Sequence, residues 1–331
     1  MPRFSLVTLG SSLPDQVALA RRAEAAGFGA MWASEFYDRS ATIPLAAMAA
    51  ATSTIGLGSG VAYAFGRSPL VLAAEARDLD TLSGGRFTLG LGTGTRRMQQ
   101  DWQGLSGDHP APRCEELVPL LRRLWRLHEG PVHHEGRFYR TVVVPTAQAE
   151  APLRTEIPVY LAGVNARMVE AAGAVADGLL GHPLFTPEYV AKVVRPALAR
   201  GAARTGRNPD VPVAGDLICA VDADGRRARR AAAAQLAFYL TVKTYDPIAE
   251  LHGFSDQVGA IRAAWRAGDH EGMVAAVTDE MIDTWTLAGP ADEVREQYDR
   301  RWAGTYEETI LYPPNFAGPA DATGILETFG V

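Results

Sequence analysis

Eight short apolar runs, each set off from the next by a longer stretch of helical period, constrain this chain more than any other feature. The runs fall at 4–9, 30–34, 55–62, 86–92, 159–162, 178–181, 211–221 and 309–312. Helices are expected over 14–26, 43–53, 69–82, 113–128, 166–175, 187–204, 224–239, 290–302 and 321–329. Parallel strands need a crossover of a dozen or so residues, so strands alternating with helices predict a parallel sheet of the α/β class. Eight strands predict closure into a (β/α)8 barrel, with an open doubly wound sheet as the alternative that counting leaves open. Two stretches break the rhythm. Residues 130–156 hold Pro131, Gly136, Pro145 and Pro152 and read as an insertion, as a hairpin or otherwise, over one mouth of the barrel; 246–283 read as a second, mostly helical excursion. No repeat or low-complexity linker divides the 331 residues, so a single domain over 1–331 is expected.

Bulk properties remove several function classes. The net charge of −6 argues against nucleic acid, which is generally held by a basic patch. No apolar run approaches the ~18 residues of a membrane span, and the opening residues are too short and strand-like for a signal peptide. Cys114 and Cys219, far apart, give neither a disulfide framework nor a zinc site, and no metal is expected. A cytoplasmic protein follows as the expectation. There is no His-Glu-x-x-His and no Gly-x-Ser-x-Gly.

In a barrel the active site lies at the C-terminal ends of the strands, so polar or glycine-rich departures there carry the functional signal. The second strand ends in Ser34-Glu35-Phe36-Tyr37-Asp38-Arg39, where Glu35 faces the mouth or is a surface acid paired with Arg39. The third ends in Gly58-Ser59-Gly60-Val61-Ala62-Tyr63, whose glycines point to a bulge or to close approach of a ligand. The fourth ends in Gly90-Leu91-Gly92-Thr93-Gly94-Thr95-Arg96-Arg97, without the third glycine or acidic partner of a dinucleotide fold and without a P-loop lysine. It does offer backbone N–H groups beside two arginines. The fifth runs through Gly163-Val164-Asn165-Ala166-Arg167 into a helix; on motif alone this is a plain turn with an asparagine cap, and otherwise an anion site. His182 follows the sixth strand, where an imidazole acts on a substrate or is a satisfied rim histidine. His133 and His134 are adjacent and read as exposed loop histidines.

Taken together, several segments resemble the luciferase-like monooxygenase family, and more closely its branch dependent on the deazaflavin coenzyme F420. They are Ala25-Ala26-Gly27-Phe28, Met31-Trp32-Ala33-Ser34-Glu35, Ile55-Gly56-Leu57-Gly58-Ser59-Gly60-Val61 and Ser68-Pro69-Leu70-Val71-Leu72-Ala73. The most specific is Ala76-Arg77-Asp78-Leu79-Asp80-Thr81-Leu82-Ser83-Gly84-Gly85-Arg86-Phe87, joined by Pro158-Val159-Tyr160-Leu161-Ala162-Gly163 and Ala176-Asp177-Gly178. The resemblance covers nearly the whole chain and is weakest over 240–285. It implies a (β/α)8 barrel, usually a homodimer, with the cofactor ring at the mouth. It implies a non-prolyl cis peptide at Gly60–Val61 backing that ring, with Ala62 beside it. It also implies phosphate binding by Gly163, Val164, Asn165, Ala166 and Arg167 with help from Thr93 and Gly94, which reverses the plain-turn reading of that segment.

The pattern also departs from the family. F420 members often carry an acid followed by histidine after the second strand; here the pair is Glu35-Phe36. A glutamate used after the fourth strand is replaced by Thr95-Arg96-Arg97. Proton-transfer roles therefore do not carry over, and Glu35, Tyr63 and His182 stand as candidate catalytic residues, with Glu35 and Phe36 also beside the cofactor. The expected activity is hydride transfer between the deazaflavin C5 and a small carbonyl, imine or activated alkene. The alternatives are an FMN-dependent monooxygenase fed by a partner reductase and a non-catalytic flavin-binding protein. Phe138, Tyr139 and Trp265 in the two excursions are candidates for lining the substrate pocket, packing being the other role for Trp265.

Overall fold

The structure, a computed structural model, describes residues 3–8, 12–316 and 321–331. Strands and helices alternate: β1 (Arg3–Thr8), α1 (Leu13–Ala25), β2 (Ala30–Ala33), α2 (Thr42–Ala51), β3 (Gly56–Ser59), α3 (Pro69–Leu82), β4 (Phe87–Gly92) and α4 (Pro110–Leu124). An antiparallel hairpin, Val132–Glu135 with Arg140–Val143, precedes β5 (Val159–Ala162), α5 (Ala166–Val175) and β6 (Gly178–Gly181). A helical run ending in α6 (Arg195–Thr205) leads to β7 (Val213–Val221) and α7 (Gly225–Leu240). Short helices then fill the stretch up to Trp285, followed by the strand Thr286–Gly289, α8 (Ala291–Arg301), β8 (Glu308–Tyr312) and α9 (Thr323–Phe329).

Local chemistry sets where helices begin and end. Ser12 and Ser68 accept hydrogen bonds from Asp15 N and Val71 N, and each is followed by a proline in the first turn. Gly27 takes the left-handed conformation, with φ +75°, just beyond α1.

By contact density the chain forms two compact units. The first is Met1–Met31, Gly181–Arg195 and Val213–Val331; the second is Trp32–Leu180 and Pro196–Pro212. In the first unit β1 pairs with β8, β8 with β7, and Thr286–Gly289 with the far end of β7, all parallel. Alternation puts Leu6, Leu217 and Leu311 on the helix side, all fully buried. Phe4 shares that side and packs on Tyr298 and Phe329 at 4.9 and 4.8 Å between ring centroids. Burying each such side chain contributes ~1.5–3 kcal/mol.

In the second unit β3, β4, β5 and β6 pair in sequence order, again parallel. After a break at residues 60–61 the chain rejoins β4 through the two-residue strand Ala62–Tyr63. The segment 76–87 is explained here. Asp80, 1% exposed, is ion-paired by Arg154. Gly84 and Gly85 take positive φ, and Arg86 donates to the carbonyls of Ala49, Thr52, Ile55 and Ser83. Its roles are structural: the arginine satisfies carbonyls left over at the end of α2.

All eight expected strands are present, although Leu9, the expected end of the first, lies outside the described residues. The third strand, expected over 55–62 with glycines pointing to a bulge at its end, is interrupted at residues 60–61. The helix expected at 113–128 starts earlier and ends earlier, at Pro110–Leu124. The hairpin falls within 130–156. His134 lies on its first strand, half-buried against Glu116, and not in an exposed loop. The strand Thr286–Gly289 was not foreseen.

Candidate cofactor site

In the second unit the ends of β2 and β3 are laced together. Gly60 N donates to Ala33 O at 2.9 Å, Glu35 N donates to Val61 O at 3.0 Å, and the Ser34 hydroxyl donates to Gly60 O. The Gly60–Val61 peptide is cis, as the resemblance implies. Glu35 does not pair with Arg39, which is taken by Asp38. Its carboxylate accepts two hydrogen bonds from the Arg67 guanidinium and one from Tyr63 N, all at 2.9 Å. Arg67 Nε lies 2.9 Å from Glu75. Glu35 and Arg67 are only 13% and 15% exposed, so this bidentate pair is largely shielded from water. The Glu35 and Glu75 carboxylates hold the Arg67 guanidinium charged beyond its ordinary range, against the cost of its burial.

Tyr63 is 7% exposed and its hydroxyl has no hydrogen-bond partner. Burial, and then the charge of Glu35, raise its pKa, so the phenol keeps its proton and remains a donor. Phe36 stacks edge-on with Trp102 at 5.2 Å and against Tyr37 at 4.4 Å, forming a small aromatic rim.

The glycines of β4 have a packing explanation. A Cβ on Gly90 would lie 1.8 Å from the Ser59 carbonyl oxygen, and one on Gly92 would lie 2.5 Å from Val61. Ser59 Oγ also accepts from Gly90 N and donates to Gly90 O. The Gly-x-Gly run therefore lets the bulged third strand approach. The two arginines beyond it are occupied, Arg96 by Asp108 and Arg97 by Asp101.

β4 and β5 are in register at Leu89↔Val159 and Leu91↔Leu161, so two residues on Thr93 falls beside Gly163. Gly163 packs so closely on Met168 and Val169 that a Cβ would meet them at 3.0 Å. Asn165 caps α5 by accepting from Met168 N at 3.1 Å, and the first turn of α5 has no acidic residue. The positive end of the α5 helix dipole thus lies at Asn165 and Ala166 without an acidic side chain in its first turn. Arg167 is tied to Glu115 at 2.7 and 2.9 Å, and Arg204 shares the same carboxylate.

The first unit holds His182. Its ring is half-buried, 4.1 Å from Tyr245 and 4.9 Å from Tyr239. Burial pushes its pKa down to about 3. Nδ1 accepts from Leu184 N at 3.2 Å, which leaves the proton of the neutral ring on Nε2 as a donor.

Of the candidate residues, Glu35, Phe36, Gly60, Val61, Ala62 and Tyr63 come together at one strand junction, and Thr93 and Gly94 adjoin the Gly163–Arg167 turn. Trp265 is 44% exposed beside His270 and packs in no core. Sequence reasoning missed Arg67, which is 32 residues from Glu35. Among the described residues no cluster suited to a metal ion occurs.

Comparisons with known proteins agree with this architecture. An uncharacterized protein of Mycobacterium tuberculosis is 33% identical over 91% of this chain and 92% of its own length. A 5,10-methylenetetrahydromethanopterin reductase of Methanopyrus kandleri is 27% identical over 94% of this chain and 92% of its own. The solved coenzyme F420 dependent tetrahydromethanopterin reductase of that organism superposes with a TM-score of 0.82 at 25% identity, covering 100% of this chain and 98% of the other. The fold is a (β/α)8 barrel. Matching it over residues 3–307, the chain belongs to the luciferase-like monooxygenase family.

Proposed function

We propose that the protein is an F420-dependent oxidoreductase that moves a hydride between the deazaflavin and a small carbonyl, imine or activated alkene. The observation carrying this reading is its kinship, over almost its full length, with an F420-dependent reductase. The residues present fit such a cofactor on two counts. The start of α5 is an anion-accepting helix end with no acidic side chain in its first turn, suited to a phosphate-bearing tail. The Tyr63 hydroxyl is buried and unpartnered at the junction of the second and third strands, a donor awaiting an acceptor.

In this reading the bound deazaflavin supplies a two-electron hydride carrier. Asn165 and its neighbours hold the tail, while Thr93 lines the same corner. Glu35, with both of its oxygens engaged, fixes Arg67 and the Tyr63 backbone, and so the shape of the strand junction. Tyr63 acts as a hydrogen-bond donor at the strand junction, and His182, within its own unit, presents an Nε2–H donor. Calorimetric titration with oxidised F420 and with the same deazaflavin lacking its anionic tail tests the reading. F420 binding at micromolar or better, weakened about tenfold or more without the tail, is expected, since a helix end can supply up to ~2 kcal/mol toward an anion. No binding of either compound overturns the reading.

A further inference from the structure

The connection from β4 to α4, all of it in the second unit, turns polar side chains inward. It carries a turn of π-helix, Met98–Trp102, a geometry that recurs at functional sites. Gln100, Asp101 and Trp102 are exposed. Gln99 is 1% exposed, and Gln103, four residues on and so on the same face, is half-buried. A helical turn ordinarily packs inward with apolar residues. Here Gln99 Oε1 and both amide atoms of Gln103 are buried, and none has a hydrogen-bond partner among the described residues.

The segment lies against Tyr63. A Cβ on Gly66 would meet Gln103 Oε1 at 3.4 Å and Tyr63 Cβ at 3.7 Å. One on Gly94 would meet Met98 Cε at 3.4 Å and Tyr63 Cε1 at 3.5 Å. The tyrosine is thus held between the two ends of the segment, and its hydroxyl adds a further unpartnered buried atom. Each such atom costs stability in the free protein, so their gathering in one place points to a ligand that satisfies them. All belong to uncharged groups. The phenol and the Gln103 amide nitrogen donate, and the two amide oxygens accept. A hydrocarbon would satisfy none of them, and an ion only half. Their complement is a neutral planar edge with N–H and C=O side by side, as in a lactam or an imide.

We propose that Gln99, Gln103 and Tyr63 recognise the imide edge of a ring that enters between the ends of the third strand and β4. The inference rests on the deazaflavin reading above, since the pyrimidinedione ring of that cofactor carries such an edge. Gln103 supplies an acceptor for the ring N–H and a donor for the adjacent C=O. Gly94 and Gly104, both with φ +65°, bracket the segment and let it swing aside to admit the ring.

Fluorescence titration of the whole protein and of Gln103→Met, which removes the amide and keeps the side chain's length, tests this. The probes are oxidised F420, the deazaflavin lacking the anionic tail, and that tail-less compound methylated at its imide nitrogen. The substitution should weaken F420 and the tail-less compound by the same factor, about tenfold, because the ring is common to both. Methylation should weaken binding to the unaltered protein about tenfold and to Gln103→Met by no more than about twofold, since both changes break one contact. Gln99→Met should act in the same direction. The denaturation midpoint of cofactor-free Gln103→Met should equal or exceed that of the unaltered protein, because the lost amide has no partner. Unchanged affinities, a loss confined to F420 with its tail, penalties that multiply, or a lowered midpoint overturns the inference. Failure of F420 and the tail-less compound to bind the unaltered protein would instead fall on the deazaflavin reading. FMN, which has the same imide edge, would then serve as the probe.

Discussion

Glu35 illustrates how little a residue's neighbours in sequence say about its work. Its position at the end of the second strand was legible from the chain, and Arg39, four residues on, was the obvious partner. The actual partner is Arg67, brought in by the third strand, and the pairing is bidentate and largely shielded. Removing one side of such a pair leaves a charge without compensation. Glu35→Ala should therefore lose about 2 kcal/mol of stability by chemical denaturation, and F420 affinity should fall as Tyr63 and Arg67 relax. Stability and affinity both unchanged would place Glu35 outside the machinery. His182 could be found by position, but its proton sits on Nε2 because of the Leu184 N–H, a contact no spacing predicts.

Among elements, the alternation of strands and helices was legible almost throughout because each element carries its own period and its own caps. The exceptions depend on non-local pairing. Thr286–Gly289 is a strand because Ile218 through Val221, on the edge of β7 opposite β8, offer it a parallel ladder. The break in the third strand was anticipated from Gly60, while its cause in the facing strand was not. Gly90 and Gly92 belong to a glycine run that fitted neither a dinucleotide fold nor a P-loop and was read as offering backbone N–H groups; they admit the Ser59 carbonyl and the Val61 side chain. Because the obstacle at Gly90 is backbone, it cannot rotate aside. Gly90→Ala should cost about 3 kcal/mol or prevent folding, measured by denaturation or soluble yield, whereas a loop glycine would tolerate alanine within ~0.5 kcal/mol. A neutral Gly90→Ala would mean that the bulge is not packed as described.

For the whole molecule, the family kinship and the (β/α)8 fold were carried by many individually weak motifs acting together, above all the segment 76–87. Its residues have a structural part: Asp80 and Arg86 tie the chain together through an ion pair and hydrogen bonds to backbone carbonyls. That is why the fold was more legible than the chemistry, since burial and pairing act on every residue while function rests on a few strand ends. Among the described residues no helix is long and apolar enough to cross a membrane. The most direct test of the central claim is a parallel titration of the purified protein with F420 and FMN, each oxidised and reduced, followed by fluorescence. The account predicts micromolar or tighter binding of F420, and FMN binding weaker by about 1.4 kcal/mol or more, tenfold in affinity. FMN bound more tightly than F420 would contradict it and place the chain among the oxygen-activating monooxygenases.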